Sequence, residues 1–140
     1  MSKRFDVGVA VKALVKAALP NSKVLGMEPD EAKPSNVDDF GLVIVRSGDP
    51  GTPDVDLSPP TYWYEHQFPI EIAARSREQL DTMMTAIGDA IVADRFLGGL
   101  CIYLDAQAPV DGETQSVGVA AMSWADFPII ATYSTTSPLG

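Results

Sequence analysis

Hydrophobic and polar residues alternate almost without interruption over residues 61–74. The even positions carry Tyr62, Tyr64, His66, Phe68, Ile70 and Ile72, and the odd positions carry Trp63, Glu65, Gln67, Pro69 and Glu71. Successive side chains of a β-strand point to opposite faces of the sheet. The pattern therefore predicts a long strand with one apolar face. Because Pro69 has no amide hydrogen, we expect the strand to lie at an edge or to carry a bulge there.

A capped amphipathic helix is predicted directly after this strand, over residues 76–94. Ser76 and Gln79 have the spacing of a capping box, in which each side chain bonds a backbone amide at the start of the helix. The apolar residues that follow recur at helical spacing: Leu80, Met83, Met84, Ile87 and Ile91. A strand and a helix that are each apolar on one side predict a sheet with a helix packed on it.

A further helix is predicted over residues 3–19, where one side carries Val7, Val11, Leu14, Val15 and Ala18. Short strands are predicted near residues 23–26, 40–46, 100–104, 115–124 and 127–135. The last two strands are expected to join at Ala125 and Asp126 or at Pro128, and residues 134–140 to form a polar tail. This order predicts an α+β fold, in which a mainly antiparallel sheet carries a long hairpin loop and packs against two helices. We expect one domain that spans residues 1–140.

Residues 47–60 form the longest connection between two predicted strands, and they are rich in proline, glycine and aspartate. Such residues disfavour both helix and strand ladder, so we expect a projecting loop. Hairpin loops usually span about 2–5 residues, and a loop of this length is either functional or disordered, of which we favour the functional interpretation. Asp49, Asp54 and Asp56 lack the spacing of a calcium-binding loop. Their charges indicate either loop solubility or the lining of a lumen.

The net charge is −9, and the charges are unevenly distributed. Most basic residues lie in the first quarter of the chain, including Lys12 and Lys16, and no lysine or arginine follows Arg95. An acidic protein is unsuited to gripping nucleic acid by its phosphates. The asymmetry leaves two interpretations open, an ordinary solvated surface or two opposed faces that meet in a head-to-tail ring. No apolar run approaches the roughly 20 residues that a membrane helix needs.

Few residues suggest catalysis or metal binding, and we expect neither an enzyme nor a cofactor. His66 is the single histidine and lies on the apolar face of the long strand, so we expect a core histidine. Cys101 is the single cysteine and lies in an apolar run, which indicates a buried thiol. One histidine and one cysteine exclude a zinc site of the usual kind within one chain. Trp63 points away from the apolar face and needs a helix or a partner protein to cover it.

The size and the order of elements resemble the tail terminator (tail completion) proteins of long-tailed, non-contractile bacteriophages. The resemblance covers most of the chain: the first helix, the hairpin with its oversized loop, the long strand, the capped helix and the short terminal strands. The strands that carry it include the segment Tyr62-Trp63-Tyr64-Glu65-His66 and residues 127–133. It is a resemblance of pattern, and no catalytic residue carries over because the family has none.

The resemblance implies a homohexameric ring on the tail tube, which stops tube polymerisation and presents a surface for joining the head. DNA would pass only transiently through the lumen. The implied partners are further copies of the chain, the tail tube protein, the head connector or head-closure protein and the tape-measure protein. The implied location is the neck of the virion, after assembly in the host cytoplasm. Asp49, Asp54 and Asp56 are then candidates for a lumen or tube-contact loop. The candidate ring-interface residues are Lys12, Lys16, Trp63, Asp105, Asp111 and Glu113.

Three other interpretations stay open at this point. The nearest is another neck protein, such as a head-closure or adaptor subunit. A small α+β enzyme or ligand-binding domain would place Tyr62, Tyr64 and His66 around a pocket, and would need His66 or Cys101 in an enclosed cavity beside other polar groups. A nucleic-acid binder is disfavoured by the charge and would need a basic groove.

Overall fold

The computed structural model describes residues 2–27, 39–114 and 122–140. These residues form two helices and seven strands, which confirms the predicted α+β class. The helices are α1 (Lys3–Ala18) and α2 (Arg77–Ala93), and a short 3-10 turn covers Leu97–Gly99. The strands are β1 (Lys23–Leu25), β2 (Leu42–Val45), β3 (Asp54–Leu57), β4 (Pro60–Ala74), β5 (Tyr103–Ala106), β6 (Val110–Thr114) and β7 (Met122–Thr135).

The two long strands β4 and β7 form the centre of the sheet and pair antiparallel from Tyr62↔Thr135 to Ala74↔Ser123. The other edge of β4 carries two shorter strands in line, β3 near its beginning and β2 near its end. The other edge of β7 carries β5 and β6 in the same way. Only β1 is parallel to its neighbour, β2. The two hairpins, β3–β4 and β6–β7, therefore lie at opposite ends of the sheet.

Both helices pack on one face of this sheet, which we call the inner face. The buried residues of α1 are Val7, Gly8, Val11 and Val15, and those of α2 are Leu80, Met83, Ile87 and Ile91. They join one core with the even positions of β4 and the odd positions of β7, among them Phe68, Ile70, Ile129 and Tyr133. Removing this apolar surface from water is the main stabilising force of the fold. The predicted apolar strand face and helix stripe are confirmed, and the opposite face, the outer face, carries no helix among the described residues.

The cap at the start of α2 uses the predicted residues Ser76 and Gln79, but the side chain of Gln79 bonds a different amide from the one expected. Ser76 Oγ accepts a hydrogen bond from the Gln79 amide at 3.1 Å, as in a capping box. Gln79 Oε1 accepts from the amide of Arg75 at 3.0 Å, one residue before the N-cap. Gln79 Nε2 also donates to the Asp39 carbonyl at 2.6 Å, so the cap ties α2 to the residues that precede β2.

The prolines of the two central strands lie directly opposite each other, at Pro69↔Pro128. The carbonyl of Pro69 accepts from the Arg46 amide at 3.0 Å, and that of Pro128 accepts from the Gln107 amide at 3.2 Å. Both prolines therefore face away from the β4–β7 ladder, towards the gaps between the shorter outer strands. Their missing amide hydrogens therefore remove no hydrogen bond between β4 and β7, which explains how proline is tolerated inside this sheet.

Three sequence-based expectations about the strands are wrong. The predicted junction at Ala125 and Asp126 or at Pro128 does not exist. β7 runs through these residues, and Pro128 faces away from the β4–β7 ladder. Residues 54–57 form β3, although the loop was expected to lack strand structure. No strand was predicted over residues 105–114, which contain the end of β5 and all of β6. Residues 28–38 and 115–121 lie outside the described residues, and the second range belongs to the strand predicted over residues 115–124.

Candidate functional site

The long loop is built as a short connection followed by a hairpin, which we call the arm: residues 54–63, formed by β3 and the first residues of β4. Its register runs from Asp54↔Trp63 to Leu57↔Pro60. All four residues of β3 are exposed. Because β7 pairs with β4 only from Tyr62 onwards, the arm extends the sheet beyond its central strands. The arm is therefore an exposed element at one end of the fold.

The two sides of the arm differ in chemistry. Asp54, Asp56 and Trp63 lie on the side continuous with the outer face, and Trp63 Nε1 donates to Asp56 Oδ2 at 2.9 Å. Val55 and Leu57 lie on the other side and are 44% and 83% exposed. The structure thus brings together Asp56, a candidate tube-contact residue, and Trp63, a candidate ring-interface residue. Trp63 is half-buried by its own chain.

Asp49 is separate from the other two aspartates of the loop. Its carboxylate accepts a hydrogen bond from the Gly51 amide at 2.8 Å, and its backbone forms an isolated bridge with Gln67 in the middle of β4. A side chain that bonds the amide two residues on is typical of a turn. Asp49 therefore holds the connection between β2 and the arm against the sheet.

Gly48 allows the connection between β2 and the arm to approach β4 closely at Gln67. Its φ is +61°, and a Cβ atom at this position would lie 1.9 Å from the Gln67 carbonyl oxygen. No side chain fits between the connection and β4 at this point. The base of the arm is therefore fixed to the centre of the sheet.

His66 provides a second anchor for this connection. It is 1% exposed, and its Nε2 lies 2.6 Å from the Ser47 carbonyl oxygen, which only accepts hydrogen bonds. Nε2 therefore carries the hydrogen, and Nδ1 accepts from the Tyr133 hydroxyl at 2.9 Å. Burial lowers the pKa of His66 and raises the pKa of Tyr133 to about 12, so the ring is neutral and the phenol is a donor at neutral pH. The ring also stacks on Phe68, with 3.9 Å between ring centroids.

The surroundings of His66 also bear on the enzyme interpretation. A recess of about 300 Å³ beside it is lined by residues that include Arg4, Ser47 and Pro50. Because both ring nitrogens are engaged, His66 would have to break a hydrogen bond before it acted as a base. Cys101 is buried and donates to the Arg95 carbonyl, and burial raises the pKa of its thiol, which keeps it in the less nucleophilic form. Both residues have the contacts of structural groups.

The candidate acidic interface residues do not form one patch. Asp105 lies on the outer face in β5, and its carboxylate is 3.2 Å from Arg95 Nη1. The same Arg95 group donates to the Leu104 carbonyl at 2.9 Å, so Asp105 belongs to a local ion pair. Asp111 and Glu113 lie in β6 near the other end of the sheet, and their side chains lie outside the described part of the structure.

The candidate basic residues lie on α1, about a third of a turn round the helix from its buried residues. Phe5, Val9, Lys12 and Lys16 follow the spacing i, i+4, i+7 and i+11, which places them on a single stripe. Phe5 and Val9 are 41% and 46% exposed, Lys12 is half-buried and Lys16 is exposed. We call these four residues the α1 stripe. Sequence reasoning missed Phe5 and Val9, although their helical spacing with the two lysines was a readable signal.

The centre of the outer face carries an exposed acidic and aromatic surface. Cross-strand pairing aligns Glu65, Thr132 and Tyr103 in one row and Gln67, Ile130 and Asp105 in the next, with Trp63 two residues before Glu65. We call Trp63, Glu65, Tyr103 and Asp105 the outer patch. Tyr103 is 47% exposed, and Arg95 lies over its ring at 5.0 Å. Because α1 packs on the inner face of the sheet and the outer patch lies on the other face, the α1 stripe and the outer patch are two separate surfaces.

The described residues provide neither a metal site nor a membrane-spanning helix. None of their histidine, cysteine, aspartate and glutamate side chains cluster as a metal site would require. Neither helix is long and apolar enough to span a membrane.

Comparisons with known proteins give a structural likeness rather than a sequence family. No family model matches the chain, and no curated protein matches it. The chain is similar to one in a solved structure described as the virion of a native gene transfer agent (GTA) particle. The TM-score is 0.50 at 14% sequence identity, and the alignment covers 94% of this chain and 92% of that chain. At this identity the two chains share a fold. Because the alignment covers nearly all of both chains, the likeness extends well beyond a single hairpin or helix.

Proposed function

We propose that this chain is a structural virion protein that forms a homohexameric ring on the end of a tail tube. The ring ends tube polymerisation, provides the surface to which the head is joined, and lets DNA pass through its lumen. The observation that carries the proposal is the fold shared with a chain of a virion particle over 94% of this chain. Its location is the neck of the virion, after assembly in the host cytoplasm.

The distribution of surface chemistry supports a ring-forming role. A ring requires two different patches on each subunit, because the interface between neighbours is heterologous. The chain presents a basic helix on one side and an acidic sheet face on the other, with Lys16 and Glu65 as exposed representatives. Asp111 and Glu113 stay predictions for this interface.

The arm is the proposed contact with the tail tube or the lining of the lumen. Asp54 and Asp56 place two carboxylates on one side of it, with Asp49 at its base. Carboxylates along a lumen repel the phosphates of DNA and reduce adhesion during passage. On the other side, Leu57 offers an apolar contact that is 83% exposed.

The proposed partners are the tail tube protein on one side of the ring and the head connector or head-closure protein on the other, with the tape-measure protein as a further neighbour. A head-closure or adaptor subunit is the alternative within the same class. The two are distinguished by the defect that follows loss of the chain. A terminator leaves tails of uncontrolled length, whereas a head-closure protein leaves finished tails and leaking heads.

The charge of the arm is testable without disturbing its structure. The double variant Asp54→Asn, Asp56→Asn removes two charges, and asparagine still accepts the hydrogen bond from Trp63 Nε1. We expect particles carrying this variant to show faulty tail length, head joining or DNA ejection, measured by electron microscopy and infection or transfer titre. The matched control is Glu78→Gln, Asp89→Asn, which removes two charges from exposed positions of α2. Normal particles from the arm variant would contradict the role of the arm.

A further inference from the structure

The α1 stripe is an unusual surface for a helix that packs on a sheet. Its solvent side carries the apolar residues Phe5 and Val9, followed one and two turns later by Lys12 and Lys16. Solvent-facing helix positions are usually polar throughout. Exposed apolar residues in line with basic ones give a helix face that can dock on a partner.

The outer patch has the complementary chemistry. Its aromatic residues Trp63 and Tyr103 are of the types that anchor protein interfaces. Around them lie Glu65 and Asp105, and the arm adds Asp54 and Asp56 on the same side. Arg95 is the basic side chain paired with Asp105 there. The outer patch is therefore acidic and contains two aromatic residues, Trp63 and Tyr103, with Glu65 between them.

We infer that the α1 stripe of one copy docks on the outer patch of a second copy of this chain. This deepens the proposed function, on which it rests, by naming the two faces that meet in the ring. Phe5 and Val9 lie against the aromatic residues of the outer patch, and Lys16 lies near Glu65 of the neighbour. Because the two surfaces are separate and different, each copy retains one of each after pairing, and the contact propagates head to tail.

Charge complementarity selects a second copy as the occupant. Lys12 and Lys16 are matched by Glu65 and the arm carboxylates, and electrostatic complementarity sets the partner and the register of an interface. Lys16 and Glu65 are the best residues for a test, because each is exposed and makes no ion pair within the described residues. Reversing either charge therefore breaks no ion pair that the described residues make.

The test exchanges the two charges and measures association of the purified full chain by sedimentation velocity and native mass spectrometry. Lys16→Glu alone and Glu65→Lys alone each place like charges against each other, and we expect association to weaken by at least about tenfold. An equal mixture of the two variants restores opposite charges at every contact. We expect the mixture to associate within about threefold of the wild-type chain.

A matched pair of valines tests the apolar part of the stripe. Val9 and Val92 are exposed helix residues, at 46% and 64%, and only Val9 lies in the stripe. We expect Val9→Asp to abolish association and Val92→Asp to leave it unchanged. Circular dichroism and thermal unfolding confirm that the variants are folded.

Several results would overturn the inference. A wild-type chain whose dissociation constant is weaker than about 1 mM has no such interface. Association that is insensitive to both charge reversals, or a mixture that does not recover, shows that these faces do not meet. Equal loss in Val9→Asp and Val92→Asp has the same meaning. The proposed function is tested separately by particle assembly, so a ring built through other surfaces would survive these results.

Discussion

Removing the hydroxyl of Tyr133 tests whether His66 serves the fold. In the variant Tyr133→Phe, His66 Nδ1 loses its donor, while Nε2 keeps its hydrogen bond to the Ser47 carbonyl. His66 is 1% exposed and Tyr133 is 1% exposed, so water does not readily replace the lost donor. A buried acceptor left without a partner costs about 1–3 kcal/mol. We expect the free energy of unfolding to fall by that amount, measured by equilibrium urea denaturation.

Tyr64→Phe is the matched control. Tyr64 lies on the same face of the sheet, and its hydroxyl donates to the Pro138 carbonyl in the exposed C-terminal segment at 3.1 Å. Water can replace this donor, so we expect a loss below about 1 kcal/mol. Equal stabilities of Tyr133→Phe and the wild-type chain would refute the structural role of His66. So would a larger loss in Tyr64→Phe than in Tyr133→Phe.

Further predictions concern pH, the base of the arm and the helix cap. Burial lowers the pKa of His66, so below pH 6.5 the unfolded chain binds a proton that the folded chain does not. The free energy of unfolding should therefore fall as the pH falls below 6.5, and His66→Gln should flatten this dependence. Gly48→Ala should destabilise the fold more than Gly51→Ala, since both have positive φ but only the first would place a Cβ against Gln67, as thermal unfolding would show. Ser76→Ala should cost about 1 kcal/mol by urea denaturation, and a change within error would contradict the cap.

The sequence predicted best the elements whose burial differs between their two sides. β4 and α2 bury one face each, and this leaves alternation of period 2 and a stripe of helical period. β3 is exposed on both sides, so it leaves no such pattern and was read as loop. A proline disrupts a strand only where its missing amide hydrogen would have bonded a neighbouring strand. The register decides which side the proline faces, and the sequence does not reveal the register, so Pro128 was wrongly expected to end the strand.

The candidate site was predictable to a smaller extent. Trp63 was assigned to the solvent side of β4 from alternation alone, and it lies there. Its hydrogen bond to Asp56 depends on the pairing of β3 with β4, which alternation does not reveal. The pairing of Asp105 with Arg95 likewise depends on how the segment after α2 returns to β5. Contacts between elements follow from topology, and the sequence pattern reports mainly on burial within each element.

The proposal that this chain caps the tail tube of a virion is tested most directly by electron microscopy of particles made in cells that lack the chain. We expect heads separated from tails and tails of uncontrolled length, with restoration when the wild-type chain is supplied from a plasmid. Particles of normal tail length with joined heads in the absence of the chain would contradict the proposed function.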